Sequence, residues 1–302
     1  MNYLGIDLGG TNVKAVVCRE DGRIIGNASV PTMADCGTDR IIAQIASCAE
    51  LAAASAGLPL SEFKKAGIGI PGQLASPKGP VILAPNINWK NLDVLPLLQD
   101  ALKAEVVIAN DADCMALAES RFGAGRPFKS FLMLTLGTGV GGAIVADKKL
   151  FQGFGPCSGE FGYLTLMHGG FHAETGPDGS LEECCSSRGL CRIAKEKGFS
   201  GELCAAAIFA ASENGDPAAL ASVELYTDLL SEALSGLVNI LRPGAVILGG
   251  GITKAKAQLF DRVNAKLPPL TYGWPDIPSP KVLCASLSDD GGALGAASLA
   301  FS

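Results

Sequence analysis

The sequence predicts an α/β protein built from two copies of one strand-turn-strand unit, and three observations carry that reading. Tyr3–Cys18 superimposes without a gap on Phe131–Ala146, with Leu4/Leu132, Leu8/Leu136, Gly9/Gly137, Ala15/Ala143 and Val17/Val145 identical. Both copies share one grammar: an apolar strand, a tight Gly/Thr turn, then a second apolar strand. Strand-like and helix-like segments alternate through the rest of the chain, which marks the α/β class, and the hairpins make its sheets mixed. Duplication of one unit is the simplest account of the repeat.

The elements follow in order. Ile41, Ile42, Ile45, Ala49, Ala52 and Ala53 have helical spacing within 39–56, and Gly57 stops the helix. A short buried strand in 66–70 runs into the Pro71-Gly72 turn. Val106–Ala109 is a strand, followed by Asn110-Asp111 and a helix to about Phe122. After the second hairpin comes a glycine-broken loop over 153–180, then helices over 181–197, 201–213 and 217–241. Ala245–Leu248 reads as a strand before Gly249-Gly250-Gly251. Lys254–Leu267 reads as a helix, Val282–Ala285 as a strand and Gly291–Phe301 as a closing helix.

Composition bounds the function. The 302 residues are 48% hydrophobic and 18% charged, with a net charge of -6, a pI near 5.1 and a mean hydropathy of +0.31. That length favours two domains, and so much apolar surface excludes disorder. An acidic chain lacks the basic face a nucleic-acid binder needs. The uncharged stretch Ser130–Ala146 is too short and glycine-broken to span a bilayer, and Ala221–Leu241 carries Glu224, Asp228 and Glu232. The chain opens directly on its first strand, so a cytoplasmic location is expected. There the 10 cysteines read as reduced thiols, without a CxxC pair.

Four glycine-rich turns, after Ile6, Leu136 and Leu248 and before Ala293, offer backbone N–H groups suited to phosphates. They match neither the P-loop nor the Rossmann fingerprint. Asp7, just before the first turn, is costly beside a phosphate unless a cation intervenes, which implies magnesium; the alternative is a turn aspartate capping its own loop. Thr11 and Thr138 offer hydroxyls. Asn110-Asp111 reads either as a helix cap or as a general base with an orienting amide, and the two roles are compatible. Glu160 and Glu182 are either acceptors for the hydroxyls of a polyol or, for Glu182 behind the Ser180-x-x-Glu183 box, a first-turn carboxylate.

In order along nearly the whole chain, GIDLGGTNVK at 5–14, GIGIPG at 67–72, Pro85-Asn86 with Trp89, NDAD at 110–113, LTLGTGVGG at 134–142, GEFGY at 159–163 and VILGGGI at 246–252 resemble the ROK family of sugar kinases and sugar-responsive repressors. The resemblance implies an actin-like ATPase (ribonuclease H-like) fold of two duplicated domains with an interdomain cleft, residues 1–118 plus 290–302 forming the smaller domain and 119–289 the larger. It implies ATP with Mg2+, phosphoryl transfer to a hexose hydroxyl, and a homodimer. By position, Asp111 is the catalytic base, and Gly72, Asn86, Asn110, Glu160 and Glu182 surround the sugar. Asp7 approaches magnesium through water. Gly9, Gly10, Thr11 and Lys14 belong to the first phosphate loop, Gly137, Thr138 and Gly139 to the second, and Gly249, Gly250 and Gly251 to the adenosine end.

One departure stands out. Where the family holds a structural zinc with one histidine and three cysteines, this chain has Tyr163, Ala173, Thr175 and Ser180, while Gly176, Gly179 and Glu182 remain. No zinc is expected, and the Tyr163 hydroxyl is left to bond the sugar. A rearranged site from His168, His172, Cys184, Cys185 and Cys191 is disfavoured, because Cys184 and Cys185 share one predicted helix. Two other functions are weighed. A polyphosphate donor fits the likeness of 111–125 to polyphosphate glucokinases, but no Lys/Arg cluster lines a channel. A non-catalytic regulator is disfavoured by the intact Asp111 and by a first motif starting at residue 5.

Overall fold

The computed structural model describes residues 1–76, 79–154, 157–173 and 176–301. In chain order it forms β1 (Asn2–Leu8), β2 (Asn12–Arg19), β3 (Ile24–Pro31), α1 (Thr38–Ser55), β4 (Lys65–Ile70), β5 (Gln73–Leu74), β6 (Val81–Ala84), β7 (Trp89–Leu92), α2 (Leu95–Leu102), β8 (Glu105–Asn110) and α3 (Asp111–Phe122). There follow β9 (Phe131–Leu136), β10 (Val140–Ala146), β11 (Lys149–Leu150), α4 (Leu181–Cys185), α5 (Ser187–Glu196), α6 (Ala205–Glu213), α7 (Pro217–Leu241), β12 (Ala245–Gly249), α8 (Ala257–Lys266), β13 (Lys281–Cys284) and α9 (Gly291–Ser298).

The repeat seen in the sequence is a repeat of topology. One five-stranded sheet runs β3-β2-β1-β4-β8 and the other β11-β10-β9-β12-β13. In both, the outer hairpin partner is antiparallel (β2/β3, β10/β11) and the last two strands pair in parallel. β1 meets β4, and β9 meets β12, in parallel as well. This is the duplicated actin-like α/β architecture. Among the described residues no helix is long and apolar enough to cross a membrane.

The chain forms two compact units, Met1–Pro127 with Ile144–Ser158 and Ser286–Ser302, and Phe128–Ala143 with Gly159–Ala285. The first unit runs past the expected boundary at residue 118, which falls inside α3. Glu119 supplies the reason: its fully buried carboxylate accepts from Ala124 N, Ser286 N and Leu287 N at 2.6, 2.8 and 2.9 Å. These bonds tie the end of α3 and the chain's return at Ser286 into one body. Leu4, Ile6 and Leu8 of β1 are buried with Ile41, Ile45 and Ala49 of α1 in its main core. On the other side Tyr3 and Cys18 pack with Leu294 and Ala297 of α9. In the second unit β12 is wholly buried, and α7 packs on α4, α5, α6 and α8.

Several boundaries differ from the sequence reading. The helix expected over 181–197 is two helices, broken at Ser186, whose backbone is extended (φ -78, ψ 173) and whose Oγ caps α5 by accepting from Gly189 N. The helix expected over 254–267 splits at Lys256, whose φ of 47 ends a 3-10 turn before α8 begins. The helix expected from residue 201 starts only after Cys204, whose thiol sulfur caps Ala207 N, and α9 ends at Ser298 rather than Phe301. β3, α2 and the three short strands β5-β6-β7 go beyond the sequence reading.

Helix α9 lies flat on β1 and β4 because both strands offer glycine. A Cβ on Gly5 would stand 2.0 Å from Ala293 O, and one on Gly67 would stand 1.8 Å from Ala296 O. Backbone cannot yield to that overlap. Gly67→Ala is therefore expected to cost about 3 kcal/mol, read as a lower urea midpoint at an unchanged slope. An unaltered midpoint would show that α9 is not held at this distance.

Candidate functional site

In the first unit the expected residues gather at the carboxyl ends of parallel strands, the usual ligand edge of such a sheet. The ladders place Asp7 opposite Gly69, and Ile70 opposite Asn110, so β1, β4 and β8 deliver Asp7, the 71–72 turn and Asn110-Asp111 side by side. Gly72 has φ +92, and a Cβ there would lie 2.1 Å from Leu83 O, so this turn admits only glycine. Asn110 Nδ2 donates to Gly72 O at 2.9 Å, while its Oδ1 accepts from Ala112 N at 2.8 Å. The cap reading of Asn110 is thus observed, and the same side chain fastens the turn beside Asp111.

Asp111 is the first residue of α3, and its Oδ1 accepts from Ala112 N at 2.9 Å. Burial pushes its carboxyl above the usual range, opposed by the bonds from Ala112 N, its own N–H and Asn110. Asp7 is raised from 3.8 to about 7, by burial first and then by the charge of Asp111, with Lys14 acting against both. Lys14 faces Asp7 across the β1/β2 ladder, and its Nζ donates to Asp289 O at 3.0 Å. Two crowded carboxylates with one partly engaged cation make an anionic edge suited to a divalent ion that takes one or two protein carboxylates, its remaining ligands being water or phosphate.

The first glycine turn is held from behind. Gly9 N donates to Asn12 O at 3.0 Å, Thr32 N to Thr11 O at 2.8 Å, and Thr32 Oγ1 to Gly9 O at 2.6 Å. Thr32 is fully buried, and nothing in its sequence context marks it. Gly10 and Thr11 remain exposed, and a Cβ on Gly10 would lie 3.3 Å from Asn86 Cβ, so Asn86 stands beside this loop.

The second unit carries the other turn. Gly137 N donates to Gly139 O at 3.0 Å, and Ser187 N, opening α5, donates to Gly137 O at 2.8 Å. Glu182 Oε2 accepts from Val140 N at 2.9 Å, and a Cβ on Gly139 would lie 2.4 Å from that same oxygen. Glu182 therefore braces the turn, a role beyond the two weighed for it. Arg188 donates to Thr138 O at 3.2 Å and to Glu182 Oε1 at 3.4 Å. Of the three later glycines, Gly250 (φ +90) backs onto Leu136 O and Gly249 onto Met133. Gly251 lines a cavity of about 470 Å³ with Phe209, Glu213, Lys254 and Gln258.

Contacts within the loop after Glu160 hold its shape. The Tyr163 ring, half-exposed, lies over Gly176, where a Cβ would be 2.8 Å from Cε1. Gly179 (φ +68) packs on Met167 O, and Ser180 Oγ caps α4 by accepting from Glu183 N. Glu183 turns to Arg192 at 2.6 Å, and that guanidinium stacks over Phe171 at 4.8 Å. Ala173 N and His172 Nδ1 both meet Asp178 Oδ1, at 2.8 and 3.0 Å; Thr175 lies outside the described residues. Cys184 and Cys185 are buried, which pushes the first thiol up to about 11 and the second well above its usual range. Among the described residues no three His, Cys, Asp or Glu side chains gather as metal ligands.

The comparisons fit this geometry. The sequence model of the ROK family matches residues 3–302. A glucokinase of Halalkalibacterium halodurans is 31% identical over 97% of this chain and 93% of its own length. An N-acetyl-D-glucosamine kinase of Citrobacter koseri is 32% identical over 98% of each. The crystal structure of a ROK family glucokinase from Streptomyces griseus, in complex with glucose and AMPPNP, superimposes with a TM-score of 0.87 at 28% identity, over 99% of both chains.

The raised Asp7 carboxyl has a pH consequence. Its folded value, about 7, lies above the ordinary 3.8, so the fold holds this proton more tightly than the unfolded chain does. The resulting stabilisation is full below the ordinary value and is lost as pH climbs through the folded one. Asp7→Asn removes that loss. In thermal melts of metal-free protein the variant is expected to exceed the parent at pH ~8 and to match it at pH ~4. An equal difference at both pH values would contradict the assignment.

Proposed function

The chain belongs to the ROK family and is a sugar kinase, and from that premise we propose that it transfers the γ-phosphoryl group of ATP to a hydroxyl of a glucose-like hexose, with Asp111 as general base. The observation that carries the reading is the state of Asp111: a half-buried carboxylate, raised above its usual range by desolvation and held at Oδ1 by Ala112 N. An attacking hydroxyl would hand its proton to this carboxylate in exchange for one of the bonds it now accepts from Asn110 and nearby backbone N–H groups. Phosphoryl transfer asks a carboxylate chiefly to orient the nucleophile, and a raised value helps it take the proton near neutral pH.

The other residues take roles around that step. Asn110 orients the Gly72 turn, and Gly72, Asn86, Glu160, Tyr163 and Glu182 border the hexose. Gly10, Thr11, Thr138 and Gly139 offer phosphate oxygens backbone N–H groups and hydroxyls, Gly9 and Gly137 shape the two turns through their own N–H bonds, and Lys14 offers its ammonium. Asp7 would hold Mg2+ through water, and the ion when bound would supply the countercharge the nucleotide phosphates need. The cavity beside Gly251, about 470 Å³, suits a nucleoside. The glucokinase and N-acetylglucosamine kinase relatives support a hexose of the gluco configuration, and the AMPPNP complex of the Streptomyces griseus protein supports ATP as donor. The protein acts in the cytoplasm as a homodimer.

A coupled assay with MgATP across glucose, mannose, N-acetylglucosamine and fructose tests the substrate class. Turnover is expected with glucose or N-acetylglucosamine and not with fructose. Asp111→Ala is expected to lower kcat by about a thousandfold while glucose binding, read by calorimetry, stays within about threefold. Retained turnover in that variant would remove Asp111 from its role.

A further inference from the structure

The second glycine turn has no cation of its own: Gly137 to Gly142 contains neither lysine nor arginine. A phosphate chain held there by backbone N–H groups alone would keep most of its charge unpaired. The structure supplies a cation from the next layer. Arg188, second residue of α5, reaches back to the turn and donates Nε–H to Thr138 O at 3.2 Å. Its Nη2 donates to Glu182 Oε1 at 3.4 Å, and Glu182 is itself fixed by Val140 N at 2.9 Å. One carboxylate thus grips both the turn and the arginine.

We propose that Arg188 is a ligand of the donor's phosphates beyond the first, the positive partner of the second phosphate loop. A guanidinium carries five N–H donors; the bonds to Thr138 and Glu182 use two. Three are left on a side chain 49% exposed. The contact to Glu183 Oε1, at 3.9 Å, is too long for a hydrogen bond. Space for the phosphate exists, since a Cβ on Gly137 would meet nothing within 4 Å and Thr138 is exposed. Planar paired donors match phosphate oxygens better than a lysine does. Glu182 holds the fork in place before the donor arrives, so little side-chain freedom is lost on binding.

The inference rests on the reading of 137–139 as a phosphate loop, and the test separates the two. Binding of ATP and of AMP is measured by calorimetry for the parent, Arg188→Ala and Arg188→Lys, with a melt of each to establish folding. The parent is expected to bind ATP more tightly than AMP. Arg188→Ala is expected to weaken ATP by about tenfold or more and to leave AMP unchanged, with Arg188→Lys between. A parent that binds ATP no better than AMP would overturn the phosphate-loop reading itself. A parent that prefers ATP, with Arg188→Ala equally tight, would overturn only the role of Arg188. An equal loss of ATP and AMP in Arg188→Ala would also overturn it, leaving Arg188 as a brace of the loop.

Discussion

Helix α9 approaches β1 and β4 to a distance that only glycine allows, and the chemistry of the first unit follows from that approach. With Gly5 and Gly67 under its backbone, the helix brings its first turn onto Asp7: a Cβ on Gly292 would stand 2.7 Å from Asp7 Oδ2. Water is thereby displaced from one side of that carboxylate, and desolvation is the leading cause of its raised value. The same segment receives Lys14 at Asp289 O, which holds part of that cation's hydrogen bonding away from Asp7. A slightly looser helix would leave Asp7 hydrated and ordinary.

Glu119 secures this arrangement from the far end. Its buried carboxylate accepts from the N–H groups of Ala124, Ser286 and Leu287 and from Ser286 Oγ at 3.1 Å. A buried polar group is tolerated when donors surround it. Because Asp111 opens α3 and Glu119 lies two turns on, one helix carries the proposed base at one end and the anchor of the α9 segment at the other. In the second unit Glu182 does comparable work, joining the glycine turn to α4 and α5.

Much of this was legible in the sequence, for a physical reason. Strand-turn-strand repeats and glycine turns write themselves in residue type, since only glycine fits where backbone meets backbone, and so the duplicated sheets and the positions of Asp7, Asn110 and Asp111 could be read directly. Asn110 as a cap was legible from the Asx preference alone. What was hidden depends on partners distant in sequence. Thr32 looks like any turn residue until its N–H and Oγ1 are found on Thr11 and Gly9. Arg188 sits in a helical stretch, and only the break at Ser186 turns it toward Thr138. The loop after Glu160 was legible as lacking the family's zinc ligands, but the Arg192–Phe171 stack and the Tyr163–Gly176 contact carry no local signal.

The strand ends of the first unit hold a carboxyl, Asp7, pushed up to about 7, so that part of its population carries a proton near neutral pH and gives it up to an arriving cation. Calorimetric titration of MgATP into the protein at pH ~7, repeated in buffers of different ionisation enthalpy, counts the protons exchanged on binding. Net proton release is expected in the parent, and its loss in Asp7→Asn. An identical count in both would contradict it.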